Sequence, residues 1–341
     1  MESAKHVSNE FQLEGCEVRI STGRLICMLF LILTMNTALL AQGPGDQPPR
    51  PDEKERAPMS SRFQSWIRGQ GMLFGNFFQT SESGCHPYRP CPEEDVSAVQ
   101  GEIGTAFQVS PAMPLELYGT LSYLRYNDSG GSRPRNFLGS SPGFRVGVRS
   151  DGRPHSFDLS FNQQNDRPTF DVGDTFDRTD VSRLYGEYGY RVVPDWEVTV
   201  RGESERQKND LTPFRDNDFL GFGGSVRYRG SRVFSPEIGY NTGRRDVDDE
   251  TESYDQDDLF FQVRSALTPA IYWSARYRYR TREYINDIRE DDRNQISGYV
   301  DFTIAPPLAL TLYGSWEDVD SNLEGRDFDT TMVMAGLTYR F

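Results

Sequence analysis

From residue 63 to its end the chain repeats one unit, a stretch of strictly alternating apolar and polar residues closed by a link. Trp196-Glu-Val-Thr-Val-Arg201 and Leu308-Ala-Leu-Thr-Leu-Tyr-Gly-Ser-Trp316 show the alternation plainly. A period of two puts successive side chains on opposite faces of a strand, whereas an amphipathic helix needs apolar residues recurring at three and four. The pattern predicts fourteen strands, at 63–79, 96–110, 115–127, 143–150, 155–165, 180–192, 196–207, 217–229, 234–245, 257–267, 271–284, 293–305, 308–319 and 328–341. The links between them take turns between two kinds. After even-numbered strands they are tight and mostly built on proline or glycine: 111–114, 151–154, 193–195, 230–233, 268–270 and 305–307. After odd-numbered strands they are long, polar and often acidic: 80–95, 128–142, 166–179, 208–216, 246–256, 285–292 and 320–327. An even number of antiparallel strands so linked has one edge of short turns, one edge of long loops, and both ends on the turn edge. A soluble sandwich would share the alternation but not the one-sidedness.

The formal charge is -14 and the mean hydropathy -0.64, far from a helical membrane protein, which needs runs of about 20 apolar residues. Only Leu25–Ala41 approaches such a run. Arg19 and Arg24 precede it and Ala41 offers a small residue for cleavage, so residues 1–41 read as a secretory leader, with an uncleaved anchor as the competing reading. Glu2, Glu10, Glu14 and Glu17 do not suit a leader's basic start and point to translation beginning near Val18. Residues 42–62, rich in proline, glycine and charge, cannot bury enough surface to offset their ordering entropy and read as a flexible periplasmic tail. Export leaves Cys85 and Cys91 as an even pair, which implies a disulfide. A metal site made from them and His86 is the weaker reading, since it has only three ligands.

Residues 63–341 are thus expected to form a transmembrane antiparallel up-and-down β-barrel, apolar toward lipid and polar toward the lumen. The expected outer face holds Val333, Ala335, Leu337, Tyr339 and Phe341 in the last strand and Leu308, Leu310, Leu312 and Trp316 in the one before. Trp196, Tyr190, Trp273, Phe234, Tyr339 and Phe341 gather toward the turn edge, as an interfacial aromatic girdle would. The ending Leu337-Thr-Tyr339-Arg-Phe341 resembles the C-terminal signal of outer-membrane proteins. The layout over residues 62–341 resembles the broad porin-like class of bacterial outer-membrane barrels. That resemblance implies recognition by the barrel-assembly machinery, a surround of outer-membrane lipid and lipopolysaccharide, periplasmic termini and small polar solutes as cargo. It implies no nucleic acid and no cofactor, and leaves the oligomeric state open.

The opposite faces carry the candidate pore lining. Arg276, Arg278, Arg280 and Arg282 alternate along one strand, with Arg264 on the strand before and Arg201 and Arg227 further round. Glu102, Glu187, Glu203 and Asp301 are among the inward acids. Such an arginine wall opposed by carboxylates would orient and filter charged solutes, while full pairing would instead fill and stiffen the interior. Barrels of about eight strands are filled and those of 16–18 hold channels, so fourteen favours a pore. The runs 246–258, 287–292 and 318–329 read as solvated acidic loops without the spacing of a calcium loop. His86 falls in the first outer loop and His155 beside a short turn, neither on a strand's outer rim where a Ser–His pair would need mutual reach, and no P-loop, dinucleotide or nucleophile motif occurs, so an enzyme is not expected. Two functions follow: a passive, weakly selective pore, or a structural barrel that holds or exports a partner.

Overall fold

The computed structural model describes residues 63–75, 96–110, 113–128, 139–151, 154–172, 175–231, 233–323 and 326–341. The leader, the tail and the Cys85–Cys91 pair lie outside the described residues. Fourteen strands follow one another: β1 (Phe63–Gly75), β2 (Val96–Ser110), β3 (Met113–Asp128), β4 (Gly139–Ser150), β5 (His155–Val172), β6 (Thr175–Val193) and β7 (Trp196–Asn209). The second half runs β8 (Asn217–Tyr228), β9 (Ser235–Val247), β10 (Tyr254–Thr268), β11 (Ile271–Tyr284), β12 (Glu290–Ala305), β13 (Leu308–Ser321) and β14 (Phe328–Arg340). Each pairs antiparallel with its neighbours in sequence, and β1 pairs with β14 to close the barrel. Closure leaves no free edge, which is what a sheet in hydrocarbon requires. The last residue takes part in it: the Phe341 amide donates to the Ser65 carbonyl at 2.9 Å, and the Ser65 amide donates back at 3.2 Å.

The outer face sets the thickness of the apolar band. Its outward positions are uncharged over nine residues in Leu220–Tyr228 of β8, Leu259–Leu267 of β10 and Leu308–Trp316 of β13. Immediately loopward stand Asp218, Asp257 and Asp318. Nine residues at about 3.3 Å, tilted by about 40°, span roughly 23 Å, close to the apolar belt of such barrels. Phenols mark its upper rim. Tyr277 donates to Asn294 at 2.8 Å and Tyr279 to Asp292 at 2.9 Å, and Tyr240 donates to Asp257. At the lower rim Trp196 packs on Tyr228 with ring centroids 5.2 Å apart, and Tyr339 on Phe341 at 6.2 Å. His155 belongs to this lower girdle, with its ring tilted against Tyr190 at 5.2 Å and hydrogen-bonded to the Tyr188 hydroxyl at 2.6 Å. It therefore packs as one of the girdle's aromatic rings.

Strand boundaries differ most at β5 and β6. The expected loop over 166–179 shrinks to a link at 173–174. Asn165-Asp166-Arg-Pro168 carries the residue types that end a strand, but the ladder absorbs them as irregularities between Gln164 and Arg167 and between Pro168 and Asp171. Asp166 takes the left-handed backbone (φ 56°) that aspartate tolerates, and its amide donates to Asp180 at 3.0 Å. Above the apolar band both faces meet water, so a strand can continue there without the alternation that would announce it. β4, β10 and β12 start earlier than their alternation for the same reason, at Gly139, Tyr254 and Glu290.

Candidate functional site

Inward positions follow from the register. Phe260, Gln262 and Arg264 of β10 lie opposite Arg278, Arg276 and Ser274 of β11, while Leu259 and Phe261 between them face outward at nearly half exposure. Arg276, Arg278, Arg280 and Arg282 therefore share the inner face. Their first counter-ion is on the adjacent strand: Asp258, 4% exposed, lies 3.1 Å from the Arg278 Nε and 4.0 Å from Arg280. Beside it Glu237 lies 3.2 Å from Arg264 and 3.6 Å from Arg201. Glu205 binds Arg183 at 3.2 Å and Arg245 at 3.0 Å, and Glu203 meets Arg183 at 2.7 Å. Arg227 donates to the Ser235 hydroxyl at 3.3 Å. Glu187 accepts from the Tyr185 hydroxyl at 2.5 Å, and Asp301 from Thr311 at 2.5 Å. Glu102 accepts from the Trp66 indole at 3.0 Å and stands 3.8 Å from Arg68.

Below the arginines lies a layer of inward aromatics that alternation alone does not single out. Phe260, 1% exposed, lies flat across the neighbouring strand at Gly239, where any Cβ would sit 2.3 Å from its ring. The guanidinium carbons of Arg276 and Arg201 stand 4.0 and 4.9 Å from that ring. Tyr118 lies likewise over Gly147, at 2.5 Å from the place of a Cβ, with Arg145 and Arg149 at 5.4 and 5.5 Å. Arg245 stands over Phe219 at 5.2 Å and Arg282 over Tyr254 at 4.4 Å. The repeated order is wall, flat ring, guanidinium. Each such contact is worth about 0.5–2 kcal/mol and takes conformational freedom from a long side chain without consuming its N–H donors.

A tighter ionic knot closes the loop-side rim. Arg289 makes two 2.8 Å bonds to Asp291, which is 1% exposed, and Arg293 approaches it at 3.5 Å. Arg289 lies in the link after β11. Burial is the largest single influence and works against its charge, but the hydrogen bonds to Asp291 and the charges of Tyr284, Asp291 and Glu252 together outweigh it and hold its pKa above the usual arginine value. Asp258 and Asp291 belong to acidic runs that read as solvated loops; both are in fact inward strand residues. Carrying the inward parity of Arg264 and Gln262 two more steps along β10 would have found Asp258.

The two walls differ in access. Inward side chains on β1, β4 and β6 keep much of their surface free, with Arg68 37%, Arg149 50% and Arg183 47% exposed. On β7 to β11 Arg201, Arg245, Arg264, Arg278 and Arg280 are more enclosed, from 15% for Arg280 to 25% for Arg264. Among the described residues no group of three or more potential ligands is placed to hold a metal ion. Leu337, Tyr339 and Phe341 face outward at 50%, 49% and 65% exposure.

Residues 244–341 match the family model described as "Putative beta-barrel porin 2". Comparison with curated proteins finds no match. Among solved structures, the chain is similar to OmpT of Vibrio cholerae at 11% identity and a TM-score of 0.44, over 83% of this chain and 99% of that one. An anion-selective porin from Comamonas acidovorans aligns at 10% identity and 0.43, over 82% and 98%. The outer membrane channel DcaP of Acinetobacter baumannii aligns at 12% and 0.39, over 82% and 96%. No solute or selectivity is carried over from these three. The matched family is one of porins, channels rather than enzymes, and it covers the strands that bear the arginine stripe. The chain is thus a closed fourteen-strand antiparallel β-barrel of the outer-membrane type, similar over residues 244–341 to a porin family.

Proposed function

We propose that the barrel is an open pore for passive diffusion of small polar and charged solutes, with a lumen that favours anions. The observation that carries this reading is the exposure of inward side chains. Arg68, Arg149 and Arg183 face the interior of a closed sheet, yet keep 37%, 50% and 47% of their surface free. Inward charge that is half-exposed in a closed barrel is charge in an aqueous channel, whereas a filled barrel would bury it. Anion preference follows from the β7–β11 wall, where five arginines stand against two carboxylates: Glu237 pairs with Arg201 and Arg264, Asp258 pairs with Arg278 and Arg280, and Arg276 packs on Phe260. Acidic links such as 248–253 stand at the loop-side mouth, so entry and passage pull oppositely on an anion. Selectivity is then weak and set inside. The orientation that agrees with this class places the short turns, Phe341 and the residue 42–62 tail in the periplasm. Leu337, Tyr339 and Phe341 serve as the assembly signal, Cys85 and Cys91 form a disulfide, and residues 1–41 are removed on export.

The test is planar-bilayer recording of the refolded barrel, with a gel-mobility shift on boiling as the check that it is folded. Stepwise conductance from heat-modifiable protein is expected. Folded protein that gives no conductance would overturn the pore in favour of a barrel that sheathes or holds a partner.

A further inference from the structure

On the open wall, Arg68 stands 3.8 Å from Glu102, Arg149 2.6 Å from Glu116 and Arg183 2.7 Å from Glu203. Arg145 on β4 differs: among the described residues no carboxylate lies within 4.0 Å of it. It is nonetheless exposed, and its place between the outward Phe144 and Val146 turns it into the lumen. One nitrogen anchors it. Its Nη2 donates to the Tyr118 hydroxyl at 3.1 Å and to the Ser160 hydroxyl at 3.2 Å, and its guanidinium carbon stands 5.4 Å from the Tyr118 ring. The Tyr118 hydroxyl donates in turn to Asp158 at 2.9 Å. Nε and Nη1 spend no hydrogen bond on the described residues, so these donors of an exposed side chain are open to lumen water. The register places Arg145 opposite Thr120 of β3 and Asn162 of β5, with Arg183 beyond Asn162 on β6. Thr120 and Asn162 are half-buried, and their side chains make no hydrogen bond among the described residues. Arg183 is held by Glu203 and by Glu205 at 3.2 Å. The row therefore presents one uncommitted cation flanked by a hydroxyl and an amide.

We propose that Thr120, Arg145 and Asn162 form a binding site on the lumen wall for a hydroxylated organic acid. The carboxylate takes the free edge of the Arg145 guanidinium, whose planar donors match its two oxygens. The flanking groups select the rest of the solute. A threonine hydroxyl and an asparagine amide both donate and accept, as a solute hydroxyl does, whereas a carboxylate or a halide only accepts. Neighbouring strands stand about 4.8 Å apart, so hydroxyls on the carbons next to the carboxylate come within reach of Thr120 or Asn162. The inference deepens the proposed pore and rests on it for the solute's passage: an anion-favouring lumen attracts any anion everywhere, whereas this site saturates and discriminates by hydroxyl groups. Asp158, hydrogen-bonded to Tyr118, lies beside Arg145 and opposes the bound charge, which lets the solute leave.

The experiment is carbon NMR line broadening of labelled gluconate and labelled acetate by the refolded, heat-modifiable barrel in zwitterionic detergent. Conductance is recorded on the same preparations, and each variant is checked for heat-modifiable mobility. Gluconate should broaden saturably and half-saturate at a severalfold lower concentration than acetate. Arg145→Gln should raise the half-saturation for gluconate about tenfold, the effect of losing a charged hydrogen-bond donor. Asn162→Leu keeps Arg145 in place and should raise the gluconate value severalfold, and the acetate value by less. Arg68→Gln removes the same charge from another part of the lumen and should shift the gluconate value less than twofold. Equal half-saturation by Arg145→Gln and the parent would overturn the site, as would an equal effect of Arg68→Gln and Arg145→Gln. Equal affinity for acetate and gluconate would overturn the hydroxylated ligand. Conductance without saturable broadening would overturn the site and leave the pore, whereas saturable broadening without conductance would overturn the pore and leave the site.

Discussion

Asp258→Asn tests the charge balance of the lumen at a deeply enclosed carboxylate. Asp258 is 4% exposed and is the counter-ion of both Arg278, at 3.1 Å, and Arg280, at 4.0 Å. The substitution keeps the shape and removes one negative charge, leaving two guanidinium groups facing a neutral amide. Removing one partner of a buried pair costs about 3–5 kcal/mol. Arg278 and Arg280 retain 24% and 15% of their surface and can turn partly to lumen water. We therefore expect a loss of about 2–3 kcal/mol, the buried-pair cost discounted for that exposure. The second effect acts on permeation. An anion passing about 7 Å from the lost charge, in a medium of effective dielectric 40–80, gains roughly 0.6–1.2 kcal/mol, or about three- to sevenfold in local preference. The assays are urea unfolding of the barrel in lipid vesicles and the zero-current potential under a potassium chloride gradient. The variant should unfold earlier and be more anion-selective than the parent, while Asp255→Asn, outward and exposed, should alter neither. An unchanged midpoint and an unchanged potential together would refute the reasoning that Asp258 balances a water-filled lumen.

The remaining predictions use the same measurements. Arg278→Ala removes one lumen cation and uncovers Asp258, so it should reduce anion preference; an unchanged potential would count against the stripe as a selectivity wall. Leu312→Arg places a charge on the lipid face of β13 within the nine-residue uncharged span and should cost about 2–4 kcal/mol by vesicle unfolding. The inward neighbour Thr311→Arg should cost much less, and equal costs would contradict the face assignment. Gly147→Val should destabilise by at least about 1–3 kcal/mol, as overpacking does. Its side chain would meet Tyr118 at 2.5 Å and the Leu159 carbonyl oxygen at 2.7 Å, and backbone cannot swing aside. Deleting Phe341 removes two backbone bonds to Ser65 at the closing seam and should lower the folded yield in a gel-shift time course.

The barrel was legible in the sequence because its signals are local. Alternation assigns each residue a face by parity within one strand, and short proline-bearing links such as 306–307 contrast with long polar ones over a few residues. Parity sufficed to set Arg276 through Arg282 on one face. What parity cannot supply is the neighbour. That Arg278 meets Asp258, that Phe260 lies across Gly239, and that Arg276 packs on the Phe260 ring depend on cross-strand register, which links residues on different strands. Asp258 and Asp291 were further disguised by acidic neighbours. Strands that continue above the apolar band lose their alternation, so a run such as Asp255-Gln-Asp257-Asp258 resembles a loop although its even positions still point inward. The β5–β6 hairpin escaped for a related reason. Pro168 and Asp166 are strand-ending residues in isolation, and only the pairing with β6 turns them into irregularities within a longer ladder.

The central claim is an open lumen whose fixed charge favours anions. It is tested most directly by the zero-current potential of the unmodified, refolded barrel in a planar bilayer under a tenfold potassium chloride gradient. The account predicts single-channel conductance with a potential of the sign that chloride preference produces, diminishing as salt screens the arginine wall. A potential of the opposite sign from conducting channels would contradict it.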